Sequence, residues 1–200
     1  MAVAITNTDV ANIYPRIRQI VDREDTAYFS NAQLLMYTEM ATDEFLQQYY
    51  TIFEASQDAR DKLEGLVKTA VCTFPSPSYT FQLSSLATTY YRLLSARLTN
   101  SPQTSVKIIQ LADYSAYLND PFNKADANNP VIYEEGGYLK TLGLTTTTSI
   151  DLTYLSYTTA WNDLTNHSFE EIAQIAARKI LQTLGDPRYQ LMQAELLERN

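Results

Sequence analysis

The residue types that do most chemistry in proteins are scarce here or badly placed for it. His167 is the one histidine of 200 residues. A catalytic triad or a zinc site needs an imidazole together with partners that fix its tautomer or complete a ligand set. A single imidazole supplies no such set, and His167 stands just ahead of a helix signal at Ser168, so it reads as a surface or capping residue. Cys72 is the one cysteine. Val71 and Phe74 flank it and only Lys68 is a nearby cation, so it reads as a buried, inert thiol. With no second cysteine an internal disulfide is impossible, which points to a reducing compartment.

Carboxylates are plentiful, but their spacing does not suit acid–base work. Asp43-Glu44, Glu134-Glu135 and Glu170-Glu171 are adjacent pairs. Neighbours in sequence leave a helix in different directions and a strand on opposite faces, so such pairs cannot act on one atom. Asp58, Asp61 and Glu64 have helical spacing, yet Arg60 and Lys62 lie among them and make the stretch read as a solvated face. There is no GxGxxG, phosphate loop or nucleophile elbow, and only 5 Gly in all. The expectation is a non-enzyme with no catalytic, cofactor-binding or metal-binding residues.

The elements that would carry these residues follow from hydrophobic periodicity. Val10, Ile13, Ile17, Ile20 and Val21 make a helical stripe across 7–22 that starts or kinks at Pro15. Ser30 with Gln33 three residues on is a capping-box pattern. Leu34, Tyr37, Ala41, Phe45, Tyr49, Ile52 and Phe53 then predict a long amphipathic helix. A third helix is predicted from about Gln57 to Thr73, with Ala59, Leu63, Leu66, Val67, Ala70 and Val71 on one face, stopped by Pro75 and Pro77. Beyond it the texture turns β-like: a strand in 86–98, with a helix as its rival, and a short strand around Val106–Ile109. A helical turn at 112–118 and a loop over 119–130 follow. VIYEE and YLKTL around Gly136-Gly137 predict a hairpin. SIDLTYLSYT alternates as a half-buried strand. Ser168 reads as the cap of a helix whose apolar face carries Phe169, Ile172, Ala173, Ala176, Ile180 and Leu184, ending at Gly185. A last amphipathic helix is predicted after Asp186-Pro187. The expected fold is α+β in one domain: a helical bundle from residues 1–78 and 161–200 with a small mixed β region, 79–160, inserted in it.

Composition narrows the function classes. Hydrophobic residues make up 45% of the chain, enough for a normal core. The net charge of −8 lacks the basic footprint that phosphate binding requires, so sequence-specific nucleic-acid binding is not expected. No apolar run reaches membrane-spanning length, and MAVAITNTDV lacks the basic and apolar regions of a signal peptide. The 15 Tyr are the outlier: Tyr suits half-buried surface at subunit contacts, and a plain bias of the sequence towards Tyr and Thr is the other reading. Candidate interface residues are Trp161, the only tryptophan, which reads otherwise as a core plug, with Arg178, Arg188, Tyr189 and Tyr138 at the hairpin. Lys179 reads as part of a solvated face.

SIDLTYLSYT, a short polar link, then SFEEIAQIAARKILQTLGDPRYQLMQAEL resembles the end of ring or adaptor proteins in the neck of short-tailed, crAss-like bacteriophages. The resemblance lies in a final strand, a helix of the pattern acid-acid-Ile-x-x-Ile-Ala-x-Arg, and an Asp-Pro-Arg-Tyr-Gln restart. The first third is similar, more loosely, to head–tail connector proteins. The resemblance implies a structural virion protein of the neck, assembled in the host cytoplasm. It implies a ring of copies of itself, twelve-fold, that meets the portal protein and other neck or tail rings. DNA would pass through the lumen without specific binding, and no membrane or cofactor is implied. The alternative is a non-virion assembly factor or a small regulatory protein-binding module.

Overall fold

The computed structural model describes residues 13–22, 29–119, 122, 124–157, 164–188 and 190. The chain divides into two compact units, one formed by 1–65 with 158–200 and one by Leu66–Tyr157.

The first unit is helical. Its described elements are α1 (Ile13–Val21), α2 (Asn31–Tyr50), α3 (Gln57–Leu63) and α5 (Asn166–Leu184). The expected capping box opens α2: the Ser30 hydroxyl accepts from the Gln33 amide and the Gln33 side chain accepts from the Ser30 amide at 3.0 Å. Leu34, Ala41, Phe45, Leu46 and Tyr49 are buried along α2, and α5 packs along α1, α2 and α3. On α5, Ile172, Ala173, Ala176, Ala177 and Ile180 are almost wholly buried. The small alanines let the neighbouring backbones approach closely. The cap of α5 is Thr165, not Ser168: its hydroxyl accepts from the Ser168 amide at 3.2 Å. Ser168 instead donates its own hydroxyl to the Lys62 carbonyl at 2.9 Å. Gly185 ends α5 in the left-handed region, φ 67°.

The second unit is built from β1 (Val67–Phe74), β2 (Thr80–Gln82), β3 (Tyr90–Leu98), β4 (Ser101–Ser105), β5 (Lys107–Ile108), β6 (Val131–Glu135), β7 (Tyr138–Leu142) and β8 (Thr148–Ser156), with the short α4 (Tyr114–Asn119). They make two four-stranded sheets, ordered β1-β8-β3-β4 and β2-β7-β6-β5. The first is antiparallel throughout, and β5–β6 is the parallel pair of the second. The sheets share one core of Cys72, Phe74, Leu93, Ala96, Ile150, Leu152 and Tyr154 from the first with Ile132 and Leu139 from the second. The Gly136-Gly137 hairpin is present, both glycines at positive φ, as the tight turn between β6 and β7 requires.

The expected architecture, a helical bundle with a small inserted β region, is therefore corrected: the protein has five described helices and two four-stranded sheets. The error lies at 67–74. Val67, Ala70 and Val71 have helical spacing, but Ala70, Cys72 and Phe74 also alternate, and β1 pairs along its whole length with β8, from Val67↔Leu155 to Phe74↔Thr148. The helix stops at Leu63, a single 3-10 turn follows over Glu64–Leu66, and the boundary to the β unit falls there. Tertiary pairing overrode the local period.

Candidate functional site

The densest polar arrangement lies on the N-terminal half of α5. Glu170 and Glu171 leave the helix in different directions, as adjacent positions must. Glu170 takes the guanidinium of Arg16 from α1, accepting from Nε at 3.0 and 2.8 Å and also from the terminal nitrogen. Glu171 turns to α2 and α3: its Oε2 is 3.2 Å from Lys62 Nζ, and its Oε1 accepts from the Tyr49 hydroxyl. Lys62 Nζ also lies 3.1 Å from Asp58, donates to Tyr49 Oη at 2.6 Å and sits 4.3 Å from the centre of that ring. One ammonium is thus shared among a carboxylate pair, a phenol and a π face.

Electrostatics follow this geometry. Burial pushes the Tyr49 hydroxyl up to about 12, and its bond to Glu171 adds to the effect. Burial opposes the charge of Lys62, but its hydrogen bonds to Tyr49 and Asp58 and the field of Glu171 outweigh it, so Lys62 titrates above the ordinary lysine range. Arg16 holds the Glu170 carboxyl below its ordinary value through their hydrogen bond. A tyrosine and a lysine held this firmly in their protonated forms are poor bases near neutral pH. The cluster is a clamp joining α5 to α1, α2 and α3.

The second half of α5 repeats the device. Arg178 bonds to Glu44 of α2, and Lys179 lies 2.5 Å from the same carboxylate. Both cations are only 19% exposed, so Lys179 does not stand on a solvated face. Arg178, expected at an interface, has its guanidinium committed within the chain. Arg188 likewise bonds Asp186 at 2.8 Å and the Val21 carbonyl at 3.1 Å, with Asp22 at 4.0 Å. Tyr138 is 40% exposed at the start of β7, opposite Glu135 on β6 and Gln82 on β2. Trp161 and Tyr189 lie outside the described residues, as does most of the helix expected after Asp186-Pro187.

The remaining chemical candidates are separated in the fold. Cys72 is buried as expected, though on β1 between the sheets and not on a helix; burial raises its thiol to about 11. His167 lies in the first turn of α5. Asp61 accepts from Gln57 at 2.7 Å, Glu134 accepts from Tyr90 at 3.0 Å and Glu135 pairs with Lys140 at 2.6 Å. Among the described residues no group of three or more His, Cys, Asp or Glu could hold a metal ion, and no helix is long and apolar enough to cross a membrane. Lys62, Tyr49, Glu44 and Arg16 were the partners that sequence reading missed; the i,i+4 spacing of Asp58 and Lys62 was the one signal of them.

No family model matches the chain, and no curated protein matches it.

Proposed function

We propose that this chain is a structural virion protein, a subunit of the head-to-tail connector ring that joins a phage portal to its tail around the DNA channel. What carries the reading is where the phage-like segments fall. The run SIDLTYLSYT supplies β8, the inner strand flanked by both β1 and β3. The run opening SFEEIAQIAARK supplies α5, whose Glu170, Glu171, Arg178 and Lys179 bind every other described helix of its unit. The resemblance therefore rests on the two pieces that organise each unit, where sequence and fold are most tightly coupled.

A ring subunit needs broad surfaces for unlike faces of its neighbours, closed by symmetry, and no pocket for a small substrate. Twelve copies, the portal protein and the other neck and tail rings are the partners under this reading. Exposed Tyr138 on the β6–β7 hairpin is the described residue offered to a neighbour. An acidic chain releases few counterions from DNA, so the duplex slides past. The test is mass spectrometry of purified phage particles followed by cryo-electron microscopy of the neck. A ring of this chain below the portal is the expected result, and its absence from purified particles overturns the proposal.

A further inference from the structure

Two buried serines each bind a backbone carbonyl far away in sequence. Ser168 on α5 is 0% exposed and Ser156, the last residue of β8, is 3% exposed. Ser168 donates to the Lys62 carbonyl at 2.9 Å, tying the start of α5 to the end of α3. Ser156 donates to the Leu66 carbonyl at 3.0 Å, tying the end of β8 to the residue that precedes β1. A buried hydroxyl is costly unless it is bonded, so each serine is accounted for by the tie it makes.

The two ties flank the places where the chain passes between its units. It leaves the helical unit after Gly65 and returns to it after Tyr157. Lys62 and Ser168 belong to the helical unit, Leu66 and Ser156 to the β unit. Each bond therefore closes its own unit at the point where the other is spliced in. The ends of the β unit are held further by the β1–β8 ladder, with Val67 opposite Leu155. Interactions inside each unit follow the same division. The core around Cys72, Phe74, Ile150 and Leu152 is drawn wholly from the β unit. The pairs Arg16–Glu170, Lys62–Glu171 and Arg178–Glu44 lie wholly in the helical unit. An inserted segment with adjacent ends and a core of its own has what a domain needs to fold by itself.

We infer that the chain opens in two separate cooperative steps, one for each unit, and that Ser168 and Ser156 are the clamps that stop the opening of one unit from spreading into the other. A unit whose two ends are tied has its loop closed from within, and it stays closed when the segment leading into it loosens. With the tie removed, fraying that begins at the splice has a path into α3 and α5 on one side, or into β1 and β8 on the other. The inference concerns the single chain and stands whether or not copies of it form a ring.

Hydrogen exchange of the full chain in rising urea, below the unfolding transition, tests it. The expected result is two levels of protection, one shared by the amides of 31–50 and 166–184 and one shared by those of 67–74, 90–98 and 148–156. Ser156→Ala should lower protection of the strand amides at least about fivefold and leave the helix amides unchanged. Ser168→Ala should do the reverse. If either variant does not fold, the two levels in the unaltered chain decide alone. One level common to both units, a substitution that lowers both alike, or substitutions that change neither overturns the inference.

Discussion

Glu171 Oε2 lies 3.2 Å from Lys62 Nζ with both side chains below 15% exposed, at 14% and 13%, while the adjacent Glu170 grips Arg16 on another helix. Two consecutive carboxylates that look redundant in the sequence are two different joints. Because Lys62 is also bonded to Tyr49, removing it leaves a half-buried carboxylate and a phenol to share one proton.

Lys62→Met should therefore cost about 2 kcal/mol, below the 3–5 kcal/mol of a fully buried broken pair because some water reaches the site. Glu171→Gln should cost less. The double variant should fall short of the sum by about 1–2 kcal/mol, because the second change removes a partner already lost. Urea denaturation of the four chains gives the coupling directly; strict additivity would show that the ammonium and carboxylate act independently.

Glu44 and Glu170 set the acid limit of the helical unit. Burial alone would raise Glu44, but the hydrogen bond from Lys179 and the charges of Arg178 and Lys179 outweigh it, and Arg16 lowers Glu170. Both carboxyls thus sit below the ordinary value of 4.5 in the fold. At mildly acid pH the unfolded chain binds more protons than the folded one, so stability present above the ordinary carboxyl value is lost as pH falls below it through the lowered values of the fold. Denaturation midpoints measured across that window should decline. Glu44→Gln with Glu170→Gln should lower stability at pH 7 and flatten the decline; an unchanged slope would place the acid sensitivity elsewhere.

How far the sequence foretold the molecule depends on where each element gets its stability. α2 was legible because Ser30 and Gln33 cap it locally and its apolar stripe runs unbroken to Tyr49. The β6–β7 hairpin was legible because two consecutive glycines at positive φ leave few other structures. β1 was not, since Val67–Phe74 satisfies a helical and an alternating pattern together, and only β8, more than seventy residues away, decides between them. The partner of Arg178 within the chain was hidden for a related reason. Its planar guanidinium suits a neighbour's carboxylate or its own chain's equally well, and the placement of Glu44 across the unit settles which.

Tyr14 gives a prediction of opposite sign. It is 3% exposed on α1, its hydroxyl has no hydrogen-bond partner among the described residues, and burial pushes that hydroxyl up to about 12. A buried hydroxyl without a partner is a net cost. Tyr14→Phe should leave the fold intact and raise its stability by up to about 1 kcal/mol. Thermal unfolding of the variant checks this, and a loss of 1 kcal/mol or more would mean that an ordered water satisfies the group.

Two glycines at positive φ should respond unequally to the same substitution. Gly185 has φ 67° at the end of α5, and a Cβ there meets nothing within 4 Å. Gly185→Ala bears only the left-handed backbone penalty, about 1 kcal/mol. Gly143 has φ 90°, and a Cβ there would stand 2.5 Å from the Asp126 carbonyl oxygen and 2.8 Å from its carbonyl carbon and amide nitrogen. Those are backbone atoms that cannot rotate aside. Asp126 is itself pinned by a turn, accepting from the Asn128 and Asn129 amides at 2.8 Å through its side chain. Gly143→Ala must therefore displace the 126–129 turn from the strand end after β7, adding steric strain to the same penalty for a total of about 3 kcal/mol. Denaturation of the two variants side by side tests the ordering, and equal losses would show that the turn yields freely.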